Sequence, residues 1–389
     1  MRTLLKSPIL LFVGLAITLI LDSSAFAQST SDPDSLTKNS SPWNPKERQV
    51  PKGSKVHELS AGLPIVAFSA GGAKEKALDD FMEEQKVAGF LILQDGKIRL
   101  ERYALGHNDS NPWNSFSIAK SVTSTLVGAA IKDSYIKNVD DYVTNYLPDL
   151  KGSAYDSVTI RHLLTMTSGV RWNENYTDPN ADIARFNTEP IEPGMNATVS
   201  YMRSLPAVAA PGKKFQYSTG ETHLLGALVS AATQQTLSHY LSTKIWIPYG
   251  MQQKATWTLD RTGQEMAGCC LQLPLRDFAR FGQFVLEDGS IDGESIVPDD
   301  WFKTATQIQV PLWPGGGYGY GWWIFNPNSF EALGIHGQMI YIDPSRKLVI
   351  AVNSAWPEAD SNQRHFAVEN FVKSIAAEID KEEKESAGK

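Results

Sequence analysis

The chain has almost no cysteine: two in 389 residues, and those two are the neighbours Cys269 and Cys270. That excludes a thiolate metal cluster and a framework of disulfides. A bond between adjacent cysteines would close a strained ring and remove little loop entropy, so the pair is read as two small buried side chains. The seven histidines show no His-x-x-x-His spacing inside a helix, and no metal or cofactor is assigned. Also missing are a Gly-x-Ser-x-Gly elbow, an internal repeat and any block of like charge. The formal charge of −7 is spread along the chain, which argues against nucleic acid as a partner.

What is present is an ordinary globular composition, 42% hydrophobic and 20% charged, in a chain long enough for two lobes or one large domain with an insertion. Arg2 and Lys6 precede an apolar stretch over residues 9–21 and then Ala25-Phe26-Ala27, the pattern of a signal peptide cleaved after Ala27. The stretch is well short of the ~20 residues a bilayer span needs, so stable membrane insertion is not expected and the protein is placed in the periplasm or outside the cell. Cleavage removes Arg2, Lys6 and Asp22 and moves the charge from −7 to −8.

Residues 28–48, rich in Ser, Asp, Asn and Pro, read as a disordered leader, with order beginning near 58–68. Residues 90–93 and 97–100 around Asp95-Gly96 make a hairpin. Helices are expected over 158–167, 222–233, 237–245 and 275–286, strands over 319–325, 338–342 and 347–353, and a closing amphipathic helix over 365–379. Strands at both ends with helices between indicate an α+β fold. One antiparallel sheet built from both ends (49–130 and 311–380) carries a mainly helical lobe (131–310), and 381–389 is a charged tail. A ligand cleft belongs between the lobes.

The chemistry-bearing motif is Ser117-Ile118-Ala119-Lys120. Ser-x-x-Lys occurs four times, at Ser35, Ser117, Ser134 and Ser386, but only Ser117 opens a long apolar helix. Helical spacing puts the Lys120 amine one turn above the Ser117 hydroxyl, a nucleophile with its base. The helix N-terminus favours a neutral amine and a developing oxyanion. The bland reading is a serine cap.

Read with its surroundings, this stretch resembles the active-site element of the penicillin-recognising serine hydrolases, whose fold is the β-lactamase/transpeptidase-like one. The run from Val158 through Gly169, the triplet Tyr217-Ser218-Thr219 and the run from Leu275 through Gly282 are similar to ordered segments of the class C-like branch. Phe215-Gln216-Tyr217, Gly334-Ile335-His336-Gly337-Gln338 and Ser354-Ala355-Trp356-Pro357 resemble 6-aminohexanoate-dimer hydrolases, amidases with esterase activity. The resemblance implies Ser117, Lys120 and Tyr217 as catalytic residues and the backbone N–H groups of Ser117 and Ile335 as the oxyanion hole. It also implies Tyr176, Trp323 and His336 near the substrate, although Tyr176 and Trp323 serve equally as packing. Lys120 and Tyr217 titrate as a coupled pair, and which is the general base stays open. A triad of His336 with Asp277 or Asp343 explains fewer residues.

Two departures narrow the substrate. Ala332-Leu333-Gly334 stands where β-lactamases carry Lys-Thr-Gly or His-Thr-Gly, and Thr219 stands where an Asn closes the Tyr triplet. Both argue against a β-lactam or D-Ala-D-Ala. The expectation is an exported serine hydrolase of a small amide or ester acting through an acyl-enzyme. The alternatives are a catalytically silent ligand-binding relative, and a true β-lactamase or carboxypeptidase.

Overall fold

The computed structural model describes residues 46–69 and 71–388. The signal segment and the leader up to residue 45 lie outside the described residues. The two ends of the chain build one antiparallel sheet, whose strands are numbered here in chain order. They are β1 (Val87–Gln94), β2 (Lys97–Tyr103), β3 (Val310–Trp313), β4 (Gly316–Tyr318), β5 (Trp323–Asn326), β6 (Ser329–Gly334), β7 (Gln338–Asp343) and β8 (Leu348–Ser354). Their spatial order is β2-β1-β8-β7-β6-β5-β4-β3, so β1 and β8 join N-terminal to C-terminal sequence.

Every residue of β1 is buried, because both faces of the sheet are covered. That is why its sequence is a continuous apolar run and not an alternating one. On one face lie α1 (Glu75–Glu84) and the closing helix, where Phe81 and Phe371 stack at 3.9 Å over Phe90. On the other lie α2 (Ala119–Lys132), α3 (Thr219–Thr233) and α4 (Leu275–Leu286), joined in the larger core. A helix buried all round must satisfy its own polar side chains. In α2, Thr123 Oγ1 donates to Ala267 O at 2.8 Å and Ser121 Oγ to Gly321 O at 2.6 Å. Gly128 leaves room for the Trp301 indole, which a Cβ would meet at 2.6 Å.

Several expectations are corrected. The leader ends earlier than 48: Glu47–Val50 is already a strand, paired with Ala255–Thr258. With Leu271–Leu273 and Trp113–Asn114 these form a second, four-stranded sheet, two of whose strands, Ala255–Thr258 and Leu271–Leu273, fall inside the stretch 131–310 read as helical. The helix expected over 158–167 is reduced to Ile160–Leu164. The closing helix α5 runs Asn362–Ala387, so the expected tail is helical. Its charges tether it: Arg346 Nε reaches Asp380 at 2.8 Å and Lys74 reaches Glu378 at 2.7 Å. Arg99 reaches Glu382 at 2.5 Å.

Cys269 and Cys270 are joined as a disulfide and are partly exposed, not two buried thiols. The turn that holds them supplies the left-handed residue, Cys270 at φ 67°, and fixes both carbonyls, Cys269 O by the Trp257 indole and Cys270 O by Thr258 N.

Candidate active site

The turn before α2 is shaped by the second sheet. Ser115 N donates to Leu271 O at 2.8 Å and Phe116 N to Asn114 Oδ1 at 3.0 Å. Phe116 is left-handed at φ 43°, a conformation that costs a bulky residue on the order of 1 kcal/mol and that recurs at functional sites. The chain then enters a 3-10 turn, Phe116–Ile118, which delivers Ser117 to the start of α2.

Lys120 is 2% exposed and makes three contacts through its amine: Ser117 Oγ at 2.8 Å, Thr219 Oγ1 at 2.9 Å and Gly268 O at 2.8 Å. Burial pushes its pKa down from 10.5 to about 8, against the pull of the nearby Glu174 carboxylate. Near neutral pH a useful fraction is therefore the free amine.

Tyr217 lies in the segment leading into α3, capped by Ser218 through its bond to Glu221 N. Lys120 Nζ sits 4.9 Å from the Tyr217 ring centre, and the Ser117 hydroxyl exerts a small downward pull on the phenol's pKa. Burial, and then the charge of Glu174, push the phenol well above its ordinary pKa, so it keeps its proton. The two shifts run in opposite senses: burial moves Lys120 toward losing its proton and Tyr217 toward keeping it.

Gly334 ends β6 against this turn. A Cβ there would lie 2.5 Å from Ser115 O and 3.2 Å from Phe116 Cβ, so only glycine lets the strand approach the turn before Ser117 this closely. Neither Ser117 N nor Ile335 N, the next residue, donates to a backbone carbonyl among the described residues. Gln338 holds the following turn, donating from Nε2 to His336 O at 3.0 Å and Ser354 O at 2.8 Å.

The structure brings together Ser117, Lys120, Tyr217 and, through Gly334, Ile335. Trp323 stacks on Tyr217 at 5.6 Å, and Tyr176 reaches the group by donating to Glu174 Oε1 at 2.6 Å. His336 is 3% exposed, adopts φ 60° and bonds through Nδ1 to Trp356 O at 2.8 Å, which braces the turn after Gly334, and its ring lies 5.3 Å from that of Phe116.

Three features escaped the sequence. Glu174 accepts from Trp172 Nε1, Tyr176, Thr219 N and the Thr219 hydroxyl. Its signal was its place two residues before Tyr176, in the same loop. Gly268 contributes only a carbonyl, which no side-chain pattern reveals. His223 accepts from Gly268 N at 2.9 Å through Nδ1, and burial lowers its pKa to about 3.

The family profile described as Beta-lactamase matches residues 75–371, more than half of the chain. The chain belongs to the beta-lactamase family. It is 26% identical over 339 residues to a 6-aminohexanoate-dimer hydrolase of Paenarthrobacter ureafaciens, an alignment covering 82% of this chain and 85% of that one. Esterase EstB of Burkholderia gladioli is 27% identical over 222 residues, 50% of this chain and 54% of that one. A solved structure from Bacillus anthracis, assigned as a 6-aminohexanoate-dimer hydrolase, superposes with a TM-score of 0.77. It is 25% identical and covers 92% of this chain and 96% of its own. The penicillin-binding protein of Bacillus halodurans shares the fold at a TM-score of 0.62 with 15% identity, over 77% of this chain and 99% of its own. The α+β, β-lactamase-like architecture expected from the sequence is thus the fold of the molecule, and its relatives are hydrolases.

Proposed function

We propose that the protein is an exported serine hydrolase that cleaves an amide or ester of a small molecule through an acyl-enzyme on Ser117. The observation that carries this is the buried contact of 2.8 Å between Ser117 Oγ and Lys120 Nζ at the head of α2. Neutral Lys120 takes the Ser117 proton as Oγ adds to the carbonyl carbon, and the N–H groups of Ser117 and Ile335 receive the oxyanion. Tyr217, which keeps its proton, delivers it to the leaving amine or alkoxide and regains one from the Lys120 ammonium. Water then adds to the acyl carbon by the same route and frees Ser117.

The relatives that support an amide or ester substrate are the 6-aminohexanoate-dimer hydrolase and the esterase. No cation stands on Ala332-Leu333-Gly334 to hold a carboxylate, and the Thr219 hydroxyl is committed to Lys120 and Glu174. Both features disfavour a β-lactam. Export rests on Arg2, Lys6, the apolar stretch and Ala25-Phe26-Ala27.

The test is release of p-nitrophenol from p-nitrophenyl acetate by the purified protein from residue 28. A burst abolished in Ser117→Ala supports the reading, and no turnover with no labelling of Ser117 by a fluorophosphonate sinks it. Nitrocefin hydrolysis at a comparable rate would make it a β-lactamase instead.

A further inference from the structure

The hydrogens around Lys120 can be counted. A carboxylate only accepts hydrogen bonds, so the Thr219 hydroxyl, in contact with Glu174 Oε1, must spend its single proton there. Thr219 Oγ1 can then only accept from Lys120. Gly268 O likewise only accepts. A neutral amine has two N–H groups and one lone pair, and three partners within 2.9 Å. With both hydrogens taken by Thr219 and Gly268, the lone pair is left facing Ser117 Oγ.

We propose that Glu174 is a positioning residue: by holding the only proton of Thr219 it obliges neutral Lys120 to aim its lone pair at the Ser117 hydroxyl. If Thr219 were free to turn its proton toward Lys120, the amine would direct its lone pair there and present an N–H to Ser117. That arrangement cannot accept the serine proton. Glu174 is itself fixed, since each carboxylate oxygen meets two donors: Tyr176 and the Thr219 hydroxyl at Oε1, Trp172 Nε1 and Thr219 N at Oε2. An amide cannot replace it. A Gln would turn its NH2 either onto two fixed N–H donors or onto the Thr219 hydroxyl, which would then rotate.

The inference rests on Ser117 and Lys120 as nucleophile and base, and the experiment separates the two. Burst kinetics with p-nitrophenyl acetate are followed across pH for wild type, Glu174→Gln, Thr219→Val and Thr219→Ser, with circular dichroism confirming the fold. Beside Glu174, the groups facing Lys120 are Tyr217 and, from α3, His223, both uncharged in this range. Glu174→Gln and Thr219→Val should each slow acylation by about tenfold or more with KM nearly unchanged, whereas Thr219→Ser should retain the wild-type rate. The double variant should be little worse than either single one. The acid limb of Glu174→Gln should move to lower pH, because the carboxylate that favours the ammonium is gone; a merely structural role would not move it. Wild-type acylation rates in both Glu174→Gln and Thr219→Val, or an unmoved limb, overturn the inference. A wild-type protein that neither turns over nor labels at Ser117 overturns the proposed function and the inference with it. Should Glu174→Gln fail to fold, the contrast between Thr219→Val and Thr219→Ser decides.

Discussion

Two groups of residues around Ser117, joined through Tyr217, are built on different principles. Around Lys120 the contacts are directional: one amine, three partners, and behind them Glu174 bonded to Thr219 and His223 Nδ1 bonded to Gly268 N. Beyond Tyr217 is an aromatic cluster, in which Trp323 stacks with Trp313 at 6.4 Å and Phe325 at 6.4 Å and meets Tyr318 edge-on at 4.8 Å. Trp313, Trp323 and Phe325 are partly exposed. The buried side therefore dictates a reaction type, since displaced protons there have few places to go. The aromatic side offers shape and apolar area without directional bonds and leaves the substrate open.

The contrast is broken most severely at the nucleophile and its base. Ser117→Ala should abolish the burst, and Lys120→Ala should lower kcat by about two orders of magnitude or more, both with unchanged circular dichroism. A Lys120→Ala enzyme near wild type would remove the base from the account. Next comes the approach of β6. Gly334→Ala places a methyl 2.5 Å from Ser115 O, which must push the strand away. Acylation should fall by at least tenfold while p-nitrophenyl acetate KM changes little, and retained activity would mean that Ile335 N is not used.

On the aromatic side, Trp323→Leu should alter the ranking of acyl chain lengths in an ester panel by several-fold. The labelling rate of Ser117 by a small fluorophosphonate should be almost unaffected. Equal losses in both assays would show that the wall belongs to the chemistry.

The smallest effect is on stability. Burial holds Glu221 and Glu331 protonated up to about pH 8, well above the 4.5 of an open carboxyl. The folded chain thus carries protons the unfolded chain has lost, and stability falls as pH rises through that window. His107 and His223, lowered to about 4 and about 3, act oppositely, but only below their unfolded value of 6.5. Melting temperature should therefore decline between about pH 6.5 and 8, and Glu221→Gln with Glu331→Gln should flatten the decline.

Much of this was legible in the sequence where local geometry decides. Ser117 and Lys120 are one turn apart in any helix, and the helix Leu275–Leu286 has the bounds its apolar period indicates. The hairpin at Asp95-Gly96 follows from its turn residues. What was not legible depends on residues distant in sequence. Gly268 contributes a carbonyl, Glu174 acts only because Thr219 folds against it, and the His336 ring is anchored by Trp356 O, twenty residues away. The charged tail reads as solvated until Arg99 and Gln94 come beneath it and take Glu382 and Glu383. The left-handed Phe116 carries no signal at all, since its conformation is imposed by Asn114 and Leu271.

The central claim is that a buried, neutral Lys120 activates Ser117. The most direct measurement is the rate of Ser117 acylation by p-nitrophenyl acetate as a function of pH, with the acyl group located by peptide mass spectrometry. A rate that rises through a single inflection near pH 8 to a plateau, with the acetyl on the peptide containing Ser117, is predicted. A rate flat between pH 6 and 10, about two units either side of that value, or an acetyl found elsewhere, would contradict it.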